Sequence, residues 1–300
     1  MTSELKPGEF RNLASGIYLE GLTVDYARNM IWYSDVISGG VHGAGFDGAP
    51  HPTLNPERMW TGGIMMNADG AVLSSGQGGI MWNNPDTGKS GWLIDTIDGV
   101  RVNGINEMMP DGIGGMWFGT VDIEMIEQGK DARPAKIYRL AADGTVTLAA
   151  EGLGFANGIM MSADGKQLFY NDTFDATYAF DIGSDMTLSN KRKLLDKYDC
   201  DGMALDAEGN LWLTGFQSGH FERITPNGDR LPPVQTPEHA ITQIRFGGPD
   251  MRDYVFTSVP ADGGDSLKEG KPLTARHSYL YRGRSEVPGM RIEPTQFTLG

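Results

Sequence analysis

The chain has one cysteine, Cys200, so no intrachain disulfide can form and packing must hold the fold together. No apolar run approaches the roughly 20 residues of a membrane helix. The opening Met-Thr-Ser-Glu-Leu-Lys-Pro-Gly has no apolar core of a signal peptide. Positive charge is scarce: 25 Lys and Arg stand against 39 Asp and Glu, a net charge of −14 at pH 7. That balance offers no basic face to phosphate, which excludes nucleic acid as the expected partner and leaves a solvated acidic surface. Amphipathic 3.6-residue periodicity is almost missing, so an α-solenoid is excluded too. There is no Gly-x-Ser-x-Gly elbow and no phosphate-cradling glycine loop between strand and helix. The expectation is a cytoplasmic protein acting on a small molecule, with neither nucleic acid nor membrane as partner. Nothing in the composition sets the oligomeric state.

What the chain has in abundance is glycine, 42 residues scattered among many Asp-Gly and Asn-Gly pairs. Such pairs mark tight turns between short strands. One pattern recurs in VDYARNMIWYSD (24–35), MNADGAVLSSG (66–76), MPDGIGGMWFGT (109–120), MSADGKQLFYND (161–172), LDAEGNLWLTG (205–215) and FGGPDMRDYVFTS (246–258). Each unit is an apolar run, an acidic or glycine turn, and a second apolar run ending in small polar residues. Most spacings are about 42 residues, the length of a four-stranded propeller blade. The repeat predicts an all-β fold: one six-bladed β-propeller over residues 1–300, four antiparallel strands per blade, with 121–135 inserted as a loop. FRNLASGIYL (10–19) and MRIEPTQFTL (290–299) are expected to pair and close one blade.

Inner strands of a propeller line its axis, so one fixed phase in the repeat forms a ring there. Just before each inner apolar run stand Glu20, Gly62, Asn106, Asn157, Asp201 and Thr242. Two carboxylates and two amides on a narrow axis repel unless a cation lies between them. Oxygen donors without Cys or His at this phase suit one divalent ion, Ca²⁺ first, with Mg²⁺ or Mn²⁺ as alternatives. Singly, each residue reads equally well as a strand-end cap; as a phased set they point to a metal. Cys200 reads as a small core residue, and His220 as a solvent-facing loop histidine.

The motifs INEMMPDGIGGMWFGT, FANGIMMSADGKQLFYND, CDGMALDAEGNLWLTG and ITQIRFGG, with LEG near the N-terminus, resemble the SMP-30/gluconolactonase/LRE family of metal-dependent six-bladed propellers. The resemblance covers nearly the whole chain. It implies a divalent metal held by Glu20, Asn157 and Asp201, with Asn106 as fourth ligand or substrate contact, and adds Zn²⁺ to the metals to be considered. It also implies hydrolysis of a lactone. Two departures stand out. Glu20-Gly21-Leu22-Thr23-Val24 replaces the family's Glu-Gly-Pro-x-Trp, and Gly104 stands where sugar-acid lactonases carry arginine.

On this reading the ion acts as a Lewis acid, and Asp201 is the candidate base or nucleophile, with Glu20 or a hydroxide on the ion as alternatives. Trp60, Met65, Trp82, Met108, Met109, Phe155 and Phe216 fall near inner-strand ends or in adjacent loops. Among them Trp82, Met108, Phe155 and Phe216, together with Asn106, are the candidate substrate contacts, which would favour an apolar or aromatic lactone over a sugar. The insertion 123–134 reads equally as a lid and as a passive excursion. Two other functions fit the same residues: a metal-assisted hydrolase of phosphoester or organophosphate type, and a non-catalytic ligand-binding propeller.

Overall fold

The computed structural model describes residues 5–269 and 271–300. It contains six antiparallel four-stranded sheets, each reading outward from the axis in chain order until the last. The inner strands are Leu19–Asp25, Thr61–Met66, Ile105–Pro110, Phe155–Met161, Cys200–Leu205 and Ala240–Gly247, which begin blades 1 to 6. Their residues are nearly all buried, as expected for strands sandwiched between neighbouring blades. The outermost strands, such as Leu188–Asp196, alternate toward exposure. Tight turns join strands within a blade: in Ala68-Asp69-Gly70, Gly70 takes φ +85°, and Asp69 Oδ1 accepts the Ala71 N–H at 3.0 Å.

The ring closes in blade 6, where the N-terminal strand Arg11–Gly16 pairs with Ser278–Arg284. This corrects the expected pairing with 290–299. That tail instead runs across the face of the ring reached by the C-terminal ends of the inner strands. Met290 N donates to Leu205 O at 2.8 Å, Thr295 N to Met66 O at 3.0 Å and Gln296 N to Gly114 O at 2.8 Å. Within it Thr295 and Phe297 are buried. The reason is its pattern: Met290, Ile292, Phe297 and Leu299 pack onto the central core, a use that a free edge strand could not offer them.

The small polar residues ending each second strand brace one blade against the next. Ser34 Oγ donates to Gly62 O (3.1 Å), Ser75 Oγ to Asn106 O (2.8 Å), Asn171 Nδ2 to Asp201 O (2.6 Å), Thr214 Oγ1 to Thr242 O (3.0 Å) and Thr257 Oγ1 to Glu20 O (2.8 Å). The sixth junction has Gly119, where a Cβ would lie 2.7 Å from Ala156 Cβ. Five of these bonds therefore fix the backbone of the phased ring residues from behind.

A three-tiered channel and candidate metal centre

Every inner strand takes in one extra residue at the same height: between Leu19 and Leu22, Thr61 and Ile64, Ile105 and Met108, Ala156 and Ile159, Cys200 and Met203, and Ile241 and Gln243. Bulges re-aim side chains. Here they stack three rings along the axis. The middle ring is Glu20, Gly62, Asn106, Asn157, Asp201 and Thr242. One residue later comes a floor of Gly21, Gly63, Glu107, Gly158, Gly202 and Gln243; two residues earlier comes a mouth of Tyr18, Trp60, Gly104, Phe155, Asp199 and Ala240.

The floor explains its own glycines. A Cβ on Gly63 would lie 2.7 Å from Glu107 Oε1, and one on Gly202 would lie 2.4 Å from Gln243 Oε1. Gly63 and Gly202 thus leave room for two long side chains from opposite blades to meet, where Gln243 Nε2 donates to Glu107 Oε2. Gly21 and Gly158 let adjacent inner strands approach, since a Cβ there would lie 1.8 Å from Gly62 O and 2.5 Å from Asp201 O. Arg245, two residues on, lies 3.7 Å from the Glu107 carboxylate and donates to Met203 O at 3.0 Å. Met65, Met109 and Met160, also two residues past the floor, are buried.

Above this floor a cavity of about 570 Å³ opens, lined by Glu20, Asn106, Asn157 and Asp201 together with Tyr18, Trp60, Phe155, Phe174 and Phe216. Asn157 Nδ2 donates to Thr173 Oγ1 at 3.1 Å, while its Oδ1 accepts from Asn106 Nδ2 at 3.2 Å. Asn106 Nδ2 also donates to Ala156 O at 2.9 Å. Asp201 is only 5% exposed, and Glu20 is partly buried. Burial, then the negative charge of Glu107, pushes the Glu20 carboxyl up to about 8. Burial, then Glu20 and Glu107, holds Asp201 well above the carboxylate range, with a hydrogen bond from Asn157 opposing. Among the described residues neither carboxylate has an ion-pair partner, since Arg245 faces Glu107.

Two desolvated, mutually repelling carboxylates beside amide oxygens are matched to a divalent cation, which would neutralise both. Among the described residues there is no cluster of three His, Cys, Asp or Glu side chains, so a site here must count its asparagines. Glu20, Asn157 and Asp201, with Asn106 beside them, are the residues that could hold the ion.

The structure brings Phe155 and Phe216 to the cavity but not Trp82 or Met108. Trp82 is on the third strand of blade 2, and Met108 lies past the bulge on the blade-interior side; both are buried in the central hydrophobic cluster. Met65 and Met109 share that cluster, whereas Trp60 does reach the cavity. Cys200 is fully buried, its Sγ 3.4 Å from Asp172 O. His220 starts a strand, its Nδ1 2.7 Å from Ser218 O.

Sequence reasoning missed Tyr18, Phe174 and the Glu107–Gln243–Arg245 floor. Phe174 sits in a turn with φ +74°, its ring 6.3 Å from Phe155 and 5.8 Å from Phe216. Tyr18 had a signal: it stands two residues before Glu20, as Phe155 stands before Asn157. In both blades the aspartate ending the second strand pins that position: Asp35 accepts from Ile17 N (2.8 Å) and Tyr18 N (3.1 Å), and Asp172 from Gly154 N and Phe155 N (both 2.9 Å).

Two short helices stand over the mouth and touch each other, α1 (Ile123–Glu127) and α2 (Gly263–Lys268). Val121, Ile123, Ile126 and residues 129–133 of the insertion all line the cavity. Trp60 Nε1 donates to Glu127 Oε1 at 2.7 Å, tying α1 to blade 2.

Fold and site define a six-bladed propeller with an axial oxygen-donor centre. Residues 19–260 match the SMP-30/Gluconolactonase/LRE-like region, and the chain belongs to that family. It is 24% identical to pentonolactonase XacC of Haloferax volcanii over 81% of this chain and 82% of that one. It is also 24% identical to 6-deoxy-6-sulfogluconolactonase of Pseudomonas putida over 87% and 89% of the two chains. The structure of a calcium-binding protein, regucalcin, from Agrobacterium tumefaciens superposes with a TM-score of 0.80 at 22% identity, covering 98% of each chain. No helix among the described residues is long and apolar enough to cross a membrane.

Proposed function

We propose that this protein is a divalent-metal-dependent hydrolase that opens small lactones, and that the non-reacting part of its substrate is apolar. The observation that carries the reading is the pair Glu20 and Asp201, two carboxylates lining one accessible cavity and, among the described residues, without an ion-pair partner. Such a pair is costly unless an ion belongs there. Relatives named as lactonases, at 24% identity across most of the chain, support the ester-opening activity. The relative named as calcium-binding supports Ca²⁺ as the ion, with Zn²⁺, Mn²⁺ and Mg²⁺ as alternatives.

A bound cation would supply Lewis-acid polarisation of the ester carbonyl. The chain's own residues do the rest. Glu20, Asn157 and Asp201 would hold the ion, and Asn106, its Nδ2 committed to Ala156 O, would have its Oδ1 left for ion or substrate. Asp201, the more enclosed carboxylate, takes the proton of the attacking water, and Glu20 is the alternative base. Trp60, Phe155, Phe174 and Phe216 receive an apolar ring or chain and exclude water. Gly104 brings no side-chain hydrogen bond to a polyol, which separates this mouth from one built for a sugar acid.

The test is a panel of sugar, alkyl and aryl-fused lactones offered to metal-loaded protein in a pH-indicator assay. Higher kcat/KM for the alkyl or aryl members supports the reading. Higher kcat/KM for the sugar lactones would keep the lactonase and overturn its apolar substrate.

A further inference from the structure

Of the mouth ring, Tyr18 alone carries a polar side chain with no partner. Asp199 is paired with Lys197 at 2.7 Å and Trp60 Nε1 is bonded to Glu127, while Gly104, Phe155 and Ala240 have no polar side-chain atom. Tyr18 is 9% exposed and lines the cavity. Its hydroxyl makes no hydrogen bond among the described residues. Its ring is set in an apolar wall of Val36, Ala240 and Val259, under the start of α2, where a Cβ on Gly263 would lie 3.1 Å from Tyr18 Cε2.

The backbone holding that ring is fixed from both sides. Tyr18 N donates to Asp35 Oδ1 at 3.1 Å, and Tyr18 O accepts from Val36 N at 2.9 Å. Glu20 follows two residues later, just inside the strand Leu19–Asp25, and both residues line the same cavity. Asp201 lines that cavity too. The hydroxyl of this largely buried ring is not sealed in the interior: it stays open to the cavity, where no group of the described residues engages it and a substrate can.

Building on the lactonase reading above, we infer that Tyr18 is a catalytic residue: its hydroxyl donates a hydrogen bond to the ester oxygen that becomes negative as the lactone opens. A neutral phenol is suited to this, because it donates without adding charge beside two carboxylates. No covalent step passes through it and its proton stays on the phenol. Its place in the mouth ring, one tier above the donor residues, sets it on the side from which substrate enters.

The experiment compares wild type with Tyr18→Phe, which removes one oxygen and keeps the ring in its wall. Four quantities are read on the same preparations: lactone kcat, lactone KM, Ca²⁺ affinity by calorimetry, and calorimetric affinity for a cyclic phosphonate that mimics the tetrahedral oxyanion. The inference predicts that kcat falls about 100-fold, as for loss of one oxyanion donor, and that KM moves little. Phosphonate binding weakens about tenfold or more, while Ca²⁺ affinity stays within twofold. An active wild type with an equally active Tyr18→Phe overturns the role of Tyr18 and leaves the lactonase standing. Loss of Ca²⁺ affinity together with kcat makes Tyr18 a support of the metal centre and also overturns it. A wild type that opens no lactone and binds no phosphonate overturns both readings.

Discussion

Glu107 and Gln243 belong to opposite blades and are hydrogen-bonded to each other across the channel, closing it beneath the donor ring. Arg245 supplies the cation that lets Glu107 stay there. Burial nevertheless keeps the Glu107 carboxyl above its ordinary value, with Arg245, Met108 N–H and Gln243 pulling it down. Removing Arg245 leaves an uncompensated carboxylate in the interior. Arg245→Met is therefore expected to cost about 3–5 kcal/mol in urea denaturation, and the double variant Glu107→Gln/Arg245→Met to recover most of it. Equal losses in single and double variants would show that the floor is held by packing alone.

Asp201 makes the opposite prediction for the metal-free protein. Its charge repels Glu20 and Glu107 in a desolvated site. Without metal, Asp201→Asn should raise Tm by a few degrees, for a relief of about 1–2 kcal/mol. Adding Ca²⁺ should stabilise wild type by about 2.7 kcal/mol at a hundredfold excess over Kd and leave the variant unchanged. A lower metal-free Tm for the variant would mean that Asp201 is a structural cap.

Asp35 sets a pH dependence of known sign. Burial pushes its carboxyl up, but hydrogen bonds to it from Ile17, Ser38 and Tyr18 outweigh burial and hold it below the ordinary value. A group depressed in the fold contributes stability above its unfolded pKa, near 4, and loses it as pH falls through the folded value. Wild type should therefore lose more stability than Asp35→Asn between about pH 5 and pH 3. At pH 7 the substitution should cost about 1–3 kcal/mol. Parallel acid curves for the two proteins would contradict this.

The cavity wall and the blade core should separate cleanly. Phe216→Ala opens space in the cavity wall, so kcat/KM for an aryl lactone should drop about tenfold or more with stability little changed. Met108→Ala empties a fully buried site, so stability should fall by about 2–5 kcal/mol while the folded fraction keeps its substrate preference. A change of substrate preference in Met108→Ala would return that residue to the site.

The blades were legible because each repeats the same turn and the same small polar ending, and the donor ring because it keeps one phase in six repeats. The floor was not, because a bulge turns Glu107 inward where simple alternation from Asn106 points it away. Met108 and Trp82 misled because hydrophobicity alone does not tell a channel-facing position from a blade-facing one. Phe174 was hidden because a left-handed backbone places it, and sequence alone gave no reason for φ +74° at a phenylalanine. The tail went astray because its alternating apolar residues suit a strand as well as a strap.

The most direct measurement follows acid release from a lactone as Ca²⁺ is titrated into chelator-stripped protein, with calorimetric Ca²⁺ binding on the same sample and Asp201→Asn alongside. The account predicts that activity rises in step with occupancy of one site, and that the variant loses both binding and activity. Tight one-site Ca²⁺ binding with no acid release from any lactone, or acid release undiminished in the variant, would contradict it.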